Sequence, residues 1–137
     1  LEMRGADGVP WGRLPALPAF WVGLLYDDVS LDAAWDLVKD WTAFERQNLR
    51  DDVPRLGFKT RIRNRYVFEV AKECLALAHH GLRRRNRVDH FGRDESRHLE
   101  PLNAIIASGR SPAEEMLEKF NGPWRGSVEP AYEEYAF

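Results

Sequence analysis

The sequence predicts a mainly α-helical fold that opens on one short β-strand, and three observations predict it. Apolar residues recur at helical spacing along most of the 137 residues. Residues suited to helix caps, Ser30, Thr42 and Ser111 among them, stand just ahead of such runs. Only residues 1–4, Leu-Glu-Met-Arg, alternate apolar and polar as a strand with one buried face does. A lone strand leaves its backbone N–H and C=O groups unpaired, so this one is expected to join strands from elsewhere.

Taken in order, residues 1–12 give the strand and a glycine-rich loop, "GADGVPWG". Residues 16–137 give the helical region, and residues 1–137 are expected to form a single unit. Pro15 and Pro18 punctuate the start of a helix over about 16–27. It is apolar on every side, through Leu17, Phe20, Trp21, Val22, Leu24 and Leu25, which predicts a buried helix. Ser30 is the expected N-cap of a helix over about 31–41, with Leu31, Ala34, Trp35 and Val38 on its apolar face. Thr42-Ala43-Phe44-Glu45 has the capping-box pattern and opens a short helix to about 50, stopped by Pro54 and Gly57. Residues 57–65 read as a basic connection bearing Lys59, Arg61, Arg63 and Arg65.

The strongest helical pattern covers 64–80, where Tyr66, Val67, Val70, Ala71, Cys74, Leu75, Leu77 and Ala78 share a wide apolar arc. Gly81 is its expected C′ residue. A polar loop follows, then a helix over about 95–107 that ends at Gly109. Ser111-Pro112-Ala113-Glu114 combines an N-cap, proline at N1 and glutamate at N3, so another helix starts there and ends at 121–122. A last helix is expected over about 128–135.

Composition narrows the function classes. Twenty basic residues against 22 acidic ones leave a net charge of −2, which gives no overall field toward nucleic acid or an anionic membrane. The longest apolar stretch, residues 14–26, is too short and proline-rich to span a bilayer. Residues 1–10 show no apolar signal segment, and the single cysteine, Cys74, fits a reducing compartment; together they predict a cytoplasmic location. The arginines at 83, 84, 85 and 87 and the basic residues of 59–65 read as solvated surface, with Lys59, Thr60 and Arg63 placed to reach an anion from a neighbouring domain. The histidines His79, His80, His90 and His98 lack the i, i+4 spacing of a metal site, and Cys74 on an apolar arc reads as packing. Glu114, Glu115, Glu118, Glu133 and Glu134 read as helix surface.

Arg4 is the candidate with chemistry. A guanidinium offers five donors in a rigid fork that fits a carboxylate two bonds at a time, and a strand fixes where that fork points. An ion pair with Glu2 or Asp7 is the plainer alternative. Trp11 is either the lid of a pocket or a ring packed on the core.

"LEMRGADGVPWGRLPALPAFWVGLLYD", "WTAFERQNLRDDVPRLGFKT" and "SGRSPAEEMLEKFNGPWRGSVEPAYEEYAF" resemble, in that order, the C-terminal part of the plant and proteobacterial type of glutamate–cysteine ligase. The resemblance covers essentially the whole chain. It implies a helical C-terminal portion of a glutamine synthetase-like α+β fold, whose antiparallel sheet floors the substrate site. It implies formation of γ-glutamylcysteine, the first step of glutathione synthesis, from glutamate, cysteine and ATP through a γ-glutamyl phosphate, with Mg2+ on the phosphates. Residues 1–4 then become one strand of the floor, Arg4 the group that holds a substrate carboxylate, and Trp11 a residue lining the same pocket. The metal-binding acids and main ATP-binding residues of such an enzyme would lie before residue 1, so the remainder of the ligase chain is the implied partner and the 137 residues alone are expected to be inactive. The rival class is a non-catalytic helical interaction module that self-associates through its orphan strand.

Overall fold

The computed structural model describes residues 10–136. Among them run seven α-helices: α1 (Ala16–Leu25), α2 (Asp28–Val38), α3 (Ala43–Leu56), α4 (Val67–Arg85), α5 (Glu100–Ser108), α6 (Pro112–Asn121) and α7 (Glu129–Glu134). A two-stranded antiparallel hairpin, β1 (Arg61–Ile62) and β2 (Arg65–Tyr66), sits between α3 and α4. The strand expected over residues 1–4 lies outside the described residues.

The core forms where α1 crosses α4. Ala19, Leu24, Leu75, Ala78 and Leu82 are buried there, joined by Leu99 from the 3₁₀ turn Glu95–Leu99 that precedes α5. Two glycines set the closeness of that crossing. A Cβ at Gly81 would meet the Gly23 carbonyl, and one at Gly23 the Ala78 carbonyl, each closer than 3.0 Å. Gly81 is therefore an interior residue of α4 and not its C′ residue; the helix runs on to Arg85 and ends at Asn86 in the left-handed conformation, φ 49°. Local sequence read Gly81 as a stop because glycine is the usual helix terminator, but here a neighbouring backbone needs the space.

Ser30 is likewise reassigned. Asp27 caps α2, its carboxylate accepting the Ser30 N–H at 3.0 Å. Ser30 itself is fully buried and donates its hydroxyl to the Leu77 carbonyl on α4 at 3.1 Å. A hydroxyl expected to end a helix instead ties α2 to α4. On the other side, Arg84 donates to Asp27 at 2.8 Å, so one carboxylate holds both the start of α2 and the end of α4, and that guanidinium keeps the Asp27 carboxyl below its ordinary range.

Burial departs from the apolar pattern at two helices. Only Ala16, Ala19, Gly23 and Leu24 of α1 are buried, while Phe20, Trp21, Val22 and Leu25 pack on the core from its half-buried margin. In α2 Ala34 faces the core, but Leu31 is exposed and Trp35 is 59% exposed, so the expected apolar face splits.

The capping box of Thr42 and Glu45 forms as expected, and α3 passes through Pro54 to Leu56 before Gly57 ends it at φ 53°. Proline in the last turn removes one hydrogen bond to the Arg50 carbonyl; both residues are exposed, so water can replace it. The hairpin was hidden in the basic connection because each strand is only two residues long. Arg61 pairs with Tyr66, and Ile62 with Arg65. The turn places Arg63 at φ 53°, a region few non-glycine residues enter. The polar loop also shortens, since residues 82–85 are helical and Val88 bridges to Asp94. Inside it the Asp89 carboxylate accepts the Phe91 and Arg93 backbone N–H groups at 2.9 and 3.0 Å and the guanidinium of Arg97, which hold its carboxyl well below the usual range.

Toward the C-terminus, α5 stops at Gly109 in the left-handed region and Ser111 with Glu114 caps α6, both as expected. Trp124 is buried, donates its indole N–H to Glu134 at 2.8 Å and meets the Tyr135 ring edge-on, which folds α7 back on the end of α6. Leu82 and Leu99 are the largest fully buried side chains of the core. Leu82→Ala should therefore cost about 3 kcal/mol of unfolding free energy, read as a lower urea midpoint with an unchanged slope.

Candidate functional site

Arg4, the residue expected to grip a substrate, lies outside the described residues. Trp11 opens a 3₁₀ turn, Trp11–Arg13, and its side chain is 73% exposed. The ring is thus not packed on the core. It stands at the point where the glycine-rich loop joins α1, fixed by the Arg13 N–H donating to the Pro10 carbonyl at 2.8 Å.

Of the residues singled out near position 60, Thr60 and Arg63 are not open to an outside anion. Thr60 is fully buried, and its hydroxyl has no hydrogen-bond partner among the described residues. Arg63 donates to both Glu45 carboxylate oxygens, at 2.7 and 3.1 Å, and to the Asp40 carbonyl. That guanidinium, with the Thr42 N–H, holds the Glu45 carboxyl down to about 2. A fork already filled by a carboxylate and a carbonyl is not free for an outside anion, so the expected anion role of Arg63 is withdrawn. Arg65 reaches Glu73 at 2.5 Å, and Arg85 reaches Glu95 at 3.3 Å. Glu45 was legible as a cap; its second task, receiving a cation from 18 residues away, leaves no local signal.

The remaining chemistry-bearing groups are dispersed. Cys74 is half-buried and burial pushes its thiol up, which suits inert packing. His79 donates from Nε2 to Asn103 at 2.9 Å, while its buried Nδ1 has no partner among the described residues. Among the described residues, no three His, Cys, Asp or Glu side chains stand close enough to hold a metal ion. They therefore do not fit a magnesium site. The cavity near the C-terminus, about 370 Å³, is lined by Arg110, Glu115, Glu118, Lys119 and Pro123 and is crossed by an Arg110–Glu118 ion pair of 2.5 Å. No helix among the described residues is long and apolar enough to cross a membrane.

Comparison with known proteins supplies what the described geometry does not. The model of glutamate-cysteine ligase family 2 (GCS2) matches residues 1–134. The chloroplastic glutamate–cysteine ligase of Arabidopsis thaliana is 50% identical over 137 residues, all of this chain and 25% of that protein. That of Nicotiana tabacum is 47% identical over the same span, again 25% of its length. Glutamate–cysteine ligase A of Oryza sativa subsp. indica, also chloroplastic, is 48% identical over 27% of its length. The chain thus spans about a quarter of the relatives it matches. These relatives overturn the cytoplasmic expectation, since each is chloroplastic by name. One free thiol fits any reducing compartment and does not select among them. With the family model covering residues 1–134, nearly the whole chain, the chain belongs to glutamate-cysteine ligase family 2.

Proposed function

We propose that this chain is the C-terminal portion of a glutamate–cysteine ligase, which joins the γ-carboxylate of glutamate to the amine of cysteine with ATP as the driving co-substrate. The observation that carries it is the 47–50% identity to plant enzymes of that name along the full 137 residues. In this reading residues 1–137 work as one unit within a glutamine synthetase-like catalytic domain, in the chloroplast compartment of the relatives. Residues 1–4 supply a strand of the substrate floor, and Arg4 holds the carboxylate of an amino-acid substrate. Trp11 lines the same pocket, and its exposure in the described structure leaves it available. Magnesium and the ATP phosphates would be held by the remainder of the ligase.

The physical logic favours this division of labour. Such a reaction places two amino acids and stabilises charge on a transferring phosphoryl group, so catalysis is mostly positioning. Fork-shaped cations on rigid elements position carboxylates, and a helical layer keeps such an element still. The described surface also exposes several large apolar side chains, Tyr26, Trp35 and Phe44 among them, as a unit made to be covered would.

The test is an assay of γ-glutamylcysteine formation with ATP, magnesium, glutamate and cysteine. The 137-residue chain alone should form none, and the longer polypeptide that carries it should form the product. Product from the isolated chain, or none from the longer one, contradicts the proposal.

A further inference from the structure

Helix α3 is unusual in this molecule. None of its 14 residues is buried. Phe44 is 73% exposed, and Val53 and Leu56 are also exposed. Its neighbours are the 3₁₀ turn Gly57–Lys59 that follows it and strand β1. A helix that buries so little is held by its ends, and both ends of α3 are distinctive.

At the C-terminal end the chain turns at Gly57, with φ 53° and ψ −131°, a conformation open to glycine and closed to residues with a side chain. At the N-terminal end a single guanidinium gathers the chain. Arg63 spans the Asp40 carbonyl, ahead of the helix, and the Glu45 carboxylate, inside its first turn. The same Glu45 accepts the Thr42 N–H at 2.8 Å, so the capping box and the ion pair share one carboxylate. Arg63 reaches both acceptors from a backbone at φ 53°, a conformation that persists in a non-glycine residue only when its surroundings impose it. The pair is open to solvent, with 46% of the Arg63 side chain and 24% of the Glu45 side chain accessible, so water and salt compete with it.

We propose that α3 is a labile arm: it detaches and unwinds as one unit between residue 42 and Gly57, and the Arg63 fork on Glu45 and Asp40 is the latch that holds it shut, while the α1–α4 core stays closed. The proposal does not depend on the ligase reading. Stability is not uniform across a fold, and segments with few buried contacts open first. The latch closes two joints of the arm at once, so its loss should release the whole helix and not a frayed turn.

Hydrogen–deuterium exchange on the 137-residue chain tests this, comparing peptides from 43–56 with peptides from 67–85. In the native chain α3 should exchange well before α4. Arg63→Ala should accelerate 43–56 several-fold and leave 67–85 unchanged. Arg63→Lys, which keeps the charge but cannot fork across two acceptors, should fall between the two, and salt should accelerate α3 only where the fork is present. Equal protection of α3 and α4 in the native chain would overturn the proposal. So would an Arg63→Ala variant that leaves 43–56 unchanged, or one that accelerates both segments together.

Discussion

Gly81→Ala is expected to destabilise the chain by about 3 kcal/mol, a fall in Tm of roughly 10 °C for a unit of this size. The sign is not the one helix propensity gives. Alanine in a helix interior is favoured over glycine by about 1 kcal/mol, and Gly81 lies well inside α4, Val67–Arg85. The new methyl, however, would meet the Gly23 carbonyl of α1 and approach the buried Ser30 hydroxyl. A backbone carbonyl cannot rotate aside as a side-chain tip can, so the two helices must separate. That separation pulls apart Leu24, Leu75, Ala78 and Leu82, the centre of the core, and lengthens the Ser30–Leu77 hydrogen bond. Gly23→Ala should act the same way through the Ala78 carbonyl. Gly12→Ala is the control: nothing lies within 4 Å of a Cβ there, and its melting curve should match the native one. Circular dichroism at 222 nm reads all three. A Gly81→Ala chain that melts at or above the native temperature would show that the helices do not cross so closely.

The same glycines mark the limit of what was legible in the sequence. Helix caps are local events, so Thr42 with Glu45 and Ser111 with Glu114 were read correctly from three-residue spacings, and Gly109 was read correctly as a terminator. Gly81, Ser30 and Arg63 were misread for one shared reason. Each has a common local role, as helix stop, N-cap or free cation, and each is used instead for a contact far along the chain: Gly81 against Gly23, Ser30 against Leu77, Arg63 against Glu45. Nothing in a window around those residues encodes the partner. The split face of α2 has the same origin, because periodicity groups Leu31, Ala34 and Trp35 but does not say how wide the covering surface is. The hairpin escaped because two-residue strands carry no alternation. The proposed function was legible only through resemblance. Spacing alone offered a lone arginine, and the family match over residues 1–134 is what gives that arginine a context.

Arg4→Ala in the longer polypeptide is therefore the decisive variant. If Arg4 has the proposed role, the variant loses a forked pair of charged hydrogen bonds to a carboxylate, and kcat/KM for one amino-acid substrate should fall by roughly 10- to 100-fold. On the proposed role of Arg4, the loss should appear in KM for the amino acid whose carboxylate is held, with KM for ATP unchanged, because a group that only binds one substrate's carboxylate holds ground state and transition state alike. Arg4→Lys should recover only part of it, since a point charge cannot reproduce the planar fork. Steady-state kinetics with glutamate, cysteine and ATP varied in turn is the measurement. A selective rise in one amino-acid KM is the result that assigning a substrate carboxylate to Arg4 requires; unchanged constants for both amino acids in a folded Arg4→Ala enzyme would contradict it.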